Sequence, residues 1–277
     1  MTYKKENSSG SVYSTLEWLN NHFSVKSQGR YNYVAELPIQ SGFRVLDLGC
    51  ANGSWSRLIA ERVGLLGQVI AIDHDAELIH QAKSSIQNTH LDGRLRFEVV
   101  DIGRDFAHQQ TNFNVVTAFN VGSLLSDPFA ALKKIAKMLK ALDGTLILKD
   151  SAISSDFYWP MESDLASEIH RKLSCGGKIG GYDPNFGLSC RSMLNECGFS
   201  ILETKLNSYP FTYPYEPEQR QYISKNAHMI IEVDDQLDVS RKLKHWLTEV
   251  MSEKGTFFEN KNSIYTTTEF THICSIS

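Results

Sequence analysis

The sequence predicts an α/β protein built on a doubly wound parallel sheet. Three observations carry that prediction. Between 43 and 150, five apolar runs of strand length alternate with segments whose apolar residues recur at helical spacing. Four successive runs end at polar residues, Asp47, Asp73, Asp101 and Asn120, and sheets of this kind bind ligands at the carboxyl ends of their strands. The first run leads through a turn of small residues, Gly49-Cys50-Ala51-Asn52-Gly53, into a helical pattern.

The elements follow in order. The first ten residues are polar and are expected to fray. Ser14-Thr15-Leu16-Glu17 is a capping-box pattern, with Leu16, Leu19 and Phe23 marking a short amphipathic helix behind it. Tyr31 and Tyr33 precede Pro38 on a second short helix. Residues 43–48 form a strand; Trp55, Leu58, Ile59 and Val63 form a helix that Gly64 ends. Residues 68–73 form the next strand, and Asp75 caps a helix carrying Leu78, Ile79, Ala82 and Ile86. Leu95, Phe97 and Val99 alternate in a third strand, and Phe113 to Asn120 is a buried fourth. Asp127 and Pro128 cap and open a helix bearing Leu132, Ile135, Ala136 and Leu139. A fifth strand, Thr145 to Leu148, ends near Lys149 and Asp150.

Beyond 150 the pattern changes. Residues 151–174 read as partly helical. The segment 176–184 holds four glycines and has two readings, a flexible connector or a lid over the substrate. A helix from Leu188 to Cys197 stops at Gly198, a strand covers 200–205, two amphipathic helices cover 217–232 and 236–252, and a last strand lies within 263–276. The expected organisation is an N-terminal helical segment (1–40), a core (41–215 and 256–277) and a helical cap insertion (216–255).

The turn and the acid beyond it define a chemistry. Small residues at 49, 51 and 53 let backbone approach a ligand closely and accept turn conformations that larger side chains resist. The helix from Ser54 offers free backbone N–H groups at its start. Asp73 ends the second strand twenty residues past Gly53. Its ionised carboxylate only accepts hydrogen bonds, which suits the two hydroxyls of a ribose. The pattern therefore describes a site for a nucleoside-bearing cofactor. It is not the dinucleotide fingerprint G-x-G-x-x-G, because Ser54, Trp55 and Ser56 do not complete it.

With Asp47 ahead of the turn, D-x-G-x-A-x-G resembles motif I of the class I S-adenosylmethionine-dependent methyltransferases, (D/E)-x-G-x-G-x-G, with Ala51 at the middle glycine. The resemblance covers about 43–205 and the final strand. It is carried by Val45 to Gly53, Val69 to Asp73, Val99 to Ile102, Val115 to Asn120 and Leu194 to Phe199, and it is nearest the small-molecule branch typified by ubiquinone and menaquinone biosynthesis methyltransferases. It implies a Rossmann-like sheet of seven strands, the last antiparallel, and S-adenosyl-L-methionine as cofactor. By the same resemblance, Asp47 and Gly49, Cys50, Ala51, Asn52 and Gly53 hold the methionine part, Asp73 binds the ribose, Asp101 accepts from the adenine amino group, Ile102 packs on the ring, and Asn120 and Val121 face the methyl donor. His74 either packs on adenine or is a surface histidine.

Methyl transfer from a sulfonium asks mainly for alignment and exclusion of water. A base matters where the acceptor is a hydroxyl or an acidic carbon. His170 is the candidate base, ahead of the glycine segment. Tyr182, Tyr209 and His228 are candidate acceptor contacts, with Phe211, Tyr213 and Tyr215 adding aromatics that either pack or line the mouth.

Composition narrows the partners. A net charge of −4 argues against a nucleic-acid footprint. Asn120-Val121-Gly122-Ser123 is not the N-P-P-(Y/F) pattern of enzymes that methylate adenine or glutamine. A small-molecule acceptor is the leading expectation. RNA or protein methylation, or a cofactor-binding cyclase or binding protein that transfers no methyl, are the alternatives. Five cysteines with no C-x-x-C spacing are expected as reduced thiols in a cytoplasmic protein. No apolar run reaches the roughly 18 residues of a membrane span, and no metal site is expected.

Overall fold

The structure, a computed structural model, describes residues 15–103, 112–174, 182–232 and 238–276. The chain divides into two units: 1–150, 190–205 and 271–277 in the first, and 151–189 and 206–270 in the second.

In the first unit the alternation expected from the sequence is present. Helices α1 (Leu16–Ser24) and α2 (Ser27–Glu36) precede β1 (Arg44–Leu48), α3 (Ser54–Val63), β2 (Gln68–Asp73), α4 (Ala76–Ile86), β3 (Leu95–Val99), β4 (Val115–Phe119), α5 (Pro128–Leu139) and β5 (Thr145–Ser151). The strand order is β3-β2-β1-β4-β5, with every one of these pairs parallel. Val45 lies opposite both Val69 and Val115, and Asp47 opposite Ala71 and Thr117. β1, β2 and β4 are covered on both faces, which is why they read as continuous apolar runs rather than as alternation. Their core includes Val45, Ile59, Val69, Ala71, Phe97, Val115 and Ile147. Burying a side chain such as Ile59 contributes about 1.5–3 kcal/mol.

Local chemistry sets the helix ends. Asp75 accepts from the backbone N–H of Glu77 and Leu78 to cap α4, and Asp127 accepts from Ala130 to cap α5, whose first residue is Pro128. Gly64 ends α3 at φ +67°. α1 is capped by Thr15, which accepts from Trp18, one residue later than the S-x-x-E reading implied.

The second unit contains β6 (Phe157–Trp159) and α6 (Ser163–Ser174); α7 (Phe186–Glu196) and β7 (Phe199–Thr212) follow in the chain, then α8 (Pro217–Glu232), α9 (Arg241–His245) and β8 (Ile264–Ile276). β6 pairs antiparallel with β8, Phe157 opposite Thr266 and Trp159 opposite Ile264. This short strand is an eighth beside the seven expected; at three residues it has no readable period. β7 pairs with β8 and is longer than the expected 200–205. Pro210 lies within it, and a strand edge that makes no ladder bond accommodates a residue lacking an N–H. α9 continues as a π-helical turn to Val250, a shorter element than the 236–252 expected. Tyr158, Phe211, Tyr215, Tyr222, Trp246, Phe257, Phe258 and Tyr265 form a connected set of aromatic contacts, with Tyr158 joining its two halves. Among the described residues no helix is long and apolar enough to cross a membrane. The glycine segment 176–181 and Cys175 lie outside the described residues.

Candidate functional site

The site begins at the carboxyl end of β1. Gly49, Ala51 and Gly53 all have positive φ, +65°, +50° and +74°. A Cβ on Gly49 would come within 2.4 Å of Val121, and one on Gly53 within 2.5 Å of Phe97. The two glycines thus let the turn lie against the ends of β4 and β3, and Ala51 shows that the middle position needs the conformation but tolerates a methyl. Cys50 is buried, and burial pushes its thiol up, so it is a packing group rather than a nucleophile. Among the described residues, Cys50, Cys190, Cys197 and Cys274 form no disulfide.

Asp47 is buried beneath the turn. Ser56 Oγ donates to one carboxylate oxygen at 2.6 Å and Thr117 Oγ1 to the other at 2.7 Å. Burial raises its pKa to about 6 against these two hydrogen bonds, and the charge of Asp73 adds to the rise. This carboxylate ties β1, β4 and α3 together. Asp73 performs the matching task on the other side: Oδ2 accepts from the Ala51 N–H at 2.9 Å and Oδ1 from the Asp75 N–H at 2.9 Å. Oδ2 has a further lone pair for a ligand. His74 is exposed with Nδ1 3.3 Å from Asp73 Oδ1, and that hydrogen bond raises its pKa.

Asn52 Oδ1 accepts from Ser54 N and Oγ at the start of α3, and its amide donates to Asn20 on α1 at 2.8 Å. Gly53 is the N-cap of α3. Asp101 is half-buried and accepts from the Gly103 N–H at 2.8 Å; Ile102 is buried. Asn120 has φ +54° and its N–H donates to the Lys149 carbonyl at 2.7 Å. The turn, Asp73, Asn120 and Val121 therefore lie around one set of strand ends.

Residues outside the sequence-based site complete this end of the first unit. Trp55 is half-buried and meets Phe23, Tyr33 and Phe119 edge-on, at 5.8, 5.6 and 5.1 Å. The Arg30 guanidinium lies 4.8 Å from the Trp55 ring centre and Lys149 Nζ 4.9 Å, both in cation–π range. Both cations are buried. Lys149 was visible in the sequence only as a residue near the end of the fifth strand; its ring contacts are with Trp55 of α3 and Phe119 of β4.

The candidates of the second unit stand apart from that cluster in character. His170 is exposed on α6, opposite the buried Leu165, Ile169 and Leu173, with Ser174 Oγ 3.5 Å from Nδ1. Tyr182 is half-buried with its hydroxyl 3.4 Å from Ser151 Oγ, and Tyr209 is half-buried on β7. His228 is half-buried on α8, and its Nε2 finds no hydrogen-bond partner among the described residues. Phe211 and Tyr215 are buried in the aromatic cluster and pack it, whereas Tyr213 is exposed.

Comparisons with known proteins agree with this reading. Residues 39–194 match the family described as "Methyltransferase domain", and the chain belongs to that family. The 235L protein of Invertebrate iridescent virus 6, which carries a methyltransferase name, is 24% identical over 249 residues, 88% of each chain. A ubiquinone biosynthesis O-methyltransferase of Xanthomonas campestris pv. campestris is 37% identical over 125 residues; the match covers 43% of this chain and 47% of that protein. Among solved structures, the cyclase SpnF superposes with a TM-score of 0.55 at 16% identity, covering 89% of this chain and 80% of that one, a likeness of fold. The protein is a class I S-adenosylmethionine-dependent methyltransferase, with S-adenosylmethionine as its cofactor.

The residues present suit that cofactor. The positive-φ turn leaves room for backbone approach, and Asp73 keeps acceptor capacity beside the turn.

Proposed function

We propose that this methyltransferase acts on a small-molecule acceptor, a natural-product or quinone-type metabolite. The observation that carries the reading is the packing of α1 and α2 residues Phe23, Arg30 and Tyr33 against Trp55 beside the cofactor turn. Helices packed beside the turn favour a compact acceptor over a polymer. The partial similarity to a quinone-pathway O-methyltransferase supports it, as does the net charge of −4. A cyclase shares the fold, so fold alone does not choose the activity.

In this reading the turn and α3 hold the methionine part of the cofactor, Asp73 the ribose, and Asp101 and Ile102 the adenine. When bound, the cofactor would supply a methyl on its sulfonium that is electrophilic toward a lone pair of the acceptor. The protein aligns the acceptor and excludes water, which are large contributions to such a displacement. His170, exposed on α6, is kept as the candidate base for an acceptor that must lose a proton. Tyr182, Tyr209 and His228 are kept as acceptor contacts, together with the 1–40, core and 216–255 organisation and a cytoplasmic location.

The test is a calorimetric titration with S-adenosylmethionine, S-adenosylhomocysteine and NAD, followed by transfer of labelled methyl to a metabolite panel and to total RNA. Expected are binding of the first two alone and label in a small molecule. Label recovered only in RNA or protein would replace this reading.

A further inference from the structure

We infer that Lys149 is a positioning residue that presents the Asn120 amide N–H₂ to an oxygen atom of the acceptor. The inference rests on the reading just given, in which the end of β4 faces the methyl donor.

Lys149 lies in the second half of β5 and is fully buried. Its Nζ lies 4.9 Å from the Trp55 ring centre, 5.7 Å from that of Phe119, and 3.4 Å from Asn120 Oδ1. The main chain repeats the connection, since the Asn120 N–H donates to the Lys149 carbonyl at 2.7 Å. Asn120 is thus clamped to β5 at both ends of the residue, in a left-handed conformation that asparagine adopts more readily than most residues.

The chemistry of the clamp fixes which way the amide faces. An ammonium has three donors and no acceptor, so the Asn120 atom turned to Lys149 must be its oxygen. The nitrogen then points away from β5 with two N–H donors, on a half-buried residue at the strand end. A donor pair beside a buried cation favours an electron-rich neighbour, such as a hydroxyl, phenolate or carboxylate oxygen. It opposes a protonated amine, which brings a second positive charge and no lone pair. The acceptor class this selects is an oxygen nucleophile.

The test labels the protein with ¹⁵N-asparagine, saturates it with S-adenosylhomocysteine and follows the Asn120 side-chain N–H₂ signal, assigned by its loss in Asn120→Asp. Catechol and 4-hydroxybenzoate are titrated against ethanolamine and putrescine. An oxygen compound is expected to move the signal saturably and the amines not at all. Lys149→Met should keep cofactor affinity within about twofold and weaken the oxygen compound at least about tenfold. Lys149→Gln, which retains an N–H donor toward Asn120 Oδ1, should restore most of that loss and guards against a variant that fails to fold. The inference is overturned by an unchanged titration in Lys149→Met, by amines binding as well as the oxygen compounds, or by no compound moving the signal in cofactor-loaded protein. Failure to bind S-adenosylhomocysteine would instead remove the methyltransferase reading beneath it.

Discussion

Two carboxylates at neighbouring strand ends do different work because their surroundings differ. Asp73 has a backbone N–H on each oxygen and lies at the mouth of the turn. Asp73→Ala should weaken S-adenosylhomocysteine binding by about 1–3 kcal/mol, the range for hydrogen bonds to a charged group, in a calorimetric titration of the folded variant; unchanged affinity would sink the ribose assignment. Asp47 is sealed in, with a pKa raised to about 6 from an ordinary 3.8. As pH rises through 3.8 the unfolded chain releases this proton while the folded chain keeps it until about 6, so its contribution to stability falls across that window. That gap corresponds to roughly 3 kcal/mol. Asp47→Asn removes the titration, so its stability relative to the parent should improve by about 2 kcal/mol between about pH 4.5 and about pH 7.5, read by denaturant unfolding. A difference independent of pH would show that the carboxylate is not held in this way.

Among elements, the helices of the first unit were legible because their ends are written locally. Asp75 and Asp127 precede apolar periods, and the structure has both as N-caps. Asp127→Ala should cost about 1 kcal/mol of stability by thermal or chemical unfolding and leave cofactor affinity unchanged, since its bond to Ala130 serves α5 alone. The less regular elements were harder to read. β6 is too short for a period, and β7 runs beyond the 200–205 expected, with Pro210 inside it.

For the whole molecule, ligand binding couples to folding. A cofactor held by the turn, Asp73 and the strand ends binds only where these are assembled. At about 100 times its Kd, S-adenosylhomocysteine should therefore add roughly 2.7 kcal/mol to stability. Differential scanning calorimetry with S-adenosylhomocysteine and NAD in parallel measures this. A shift with NAD alone would assign the turn to a different cofactor class.

The amino-acid sequence by itself determined the alternating sheet, the small-residue turn, the acid at the next strand end and hence the class of cofactor. These depend on short-range periodicity, caps and backbone freedom, which neighbouring residues express. Only the tertiary structure decided that Asp47 is locked by Ser56 and Thr117, that Trp55 sits between Arg30 and Lys149, and that Lys149 turns the Asn120 amide. Those groups come from separate helices and strands. Burial and hydrogen-bond pairing between them are set by strand order and packing, which no local pattern encodes.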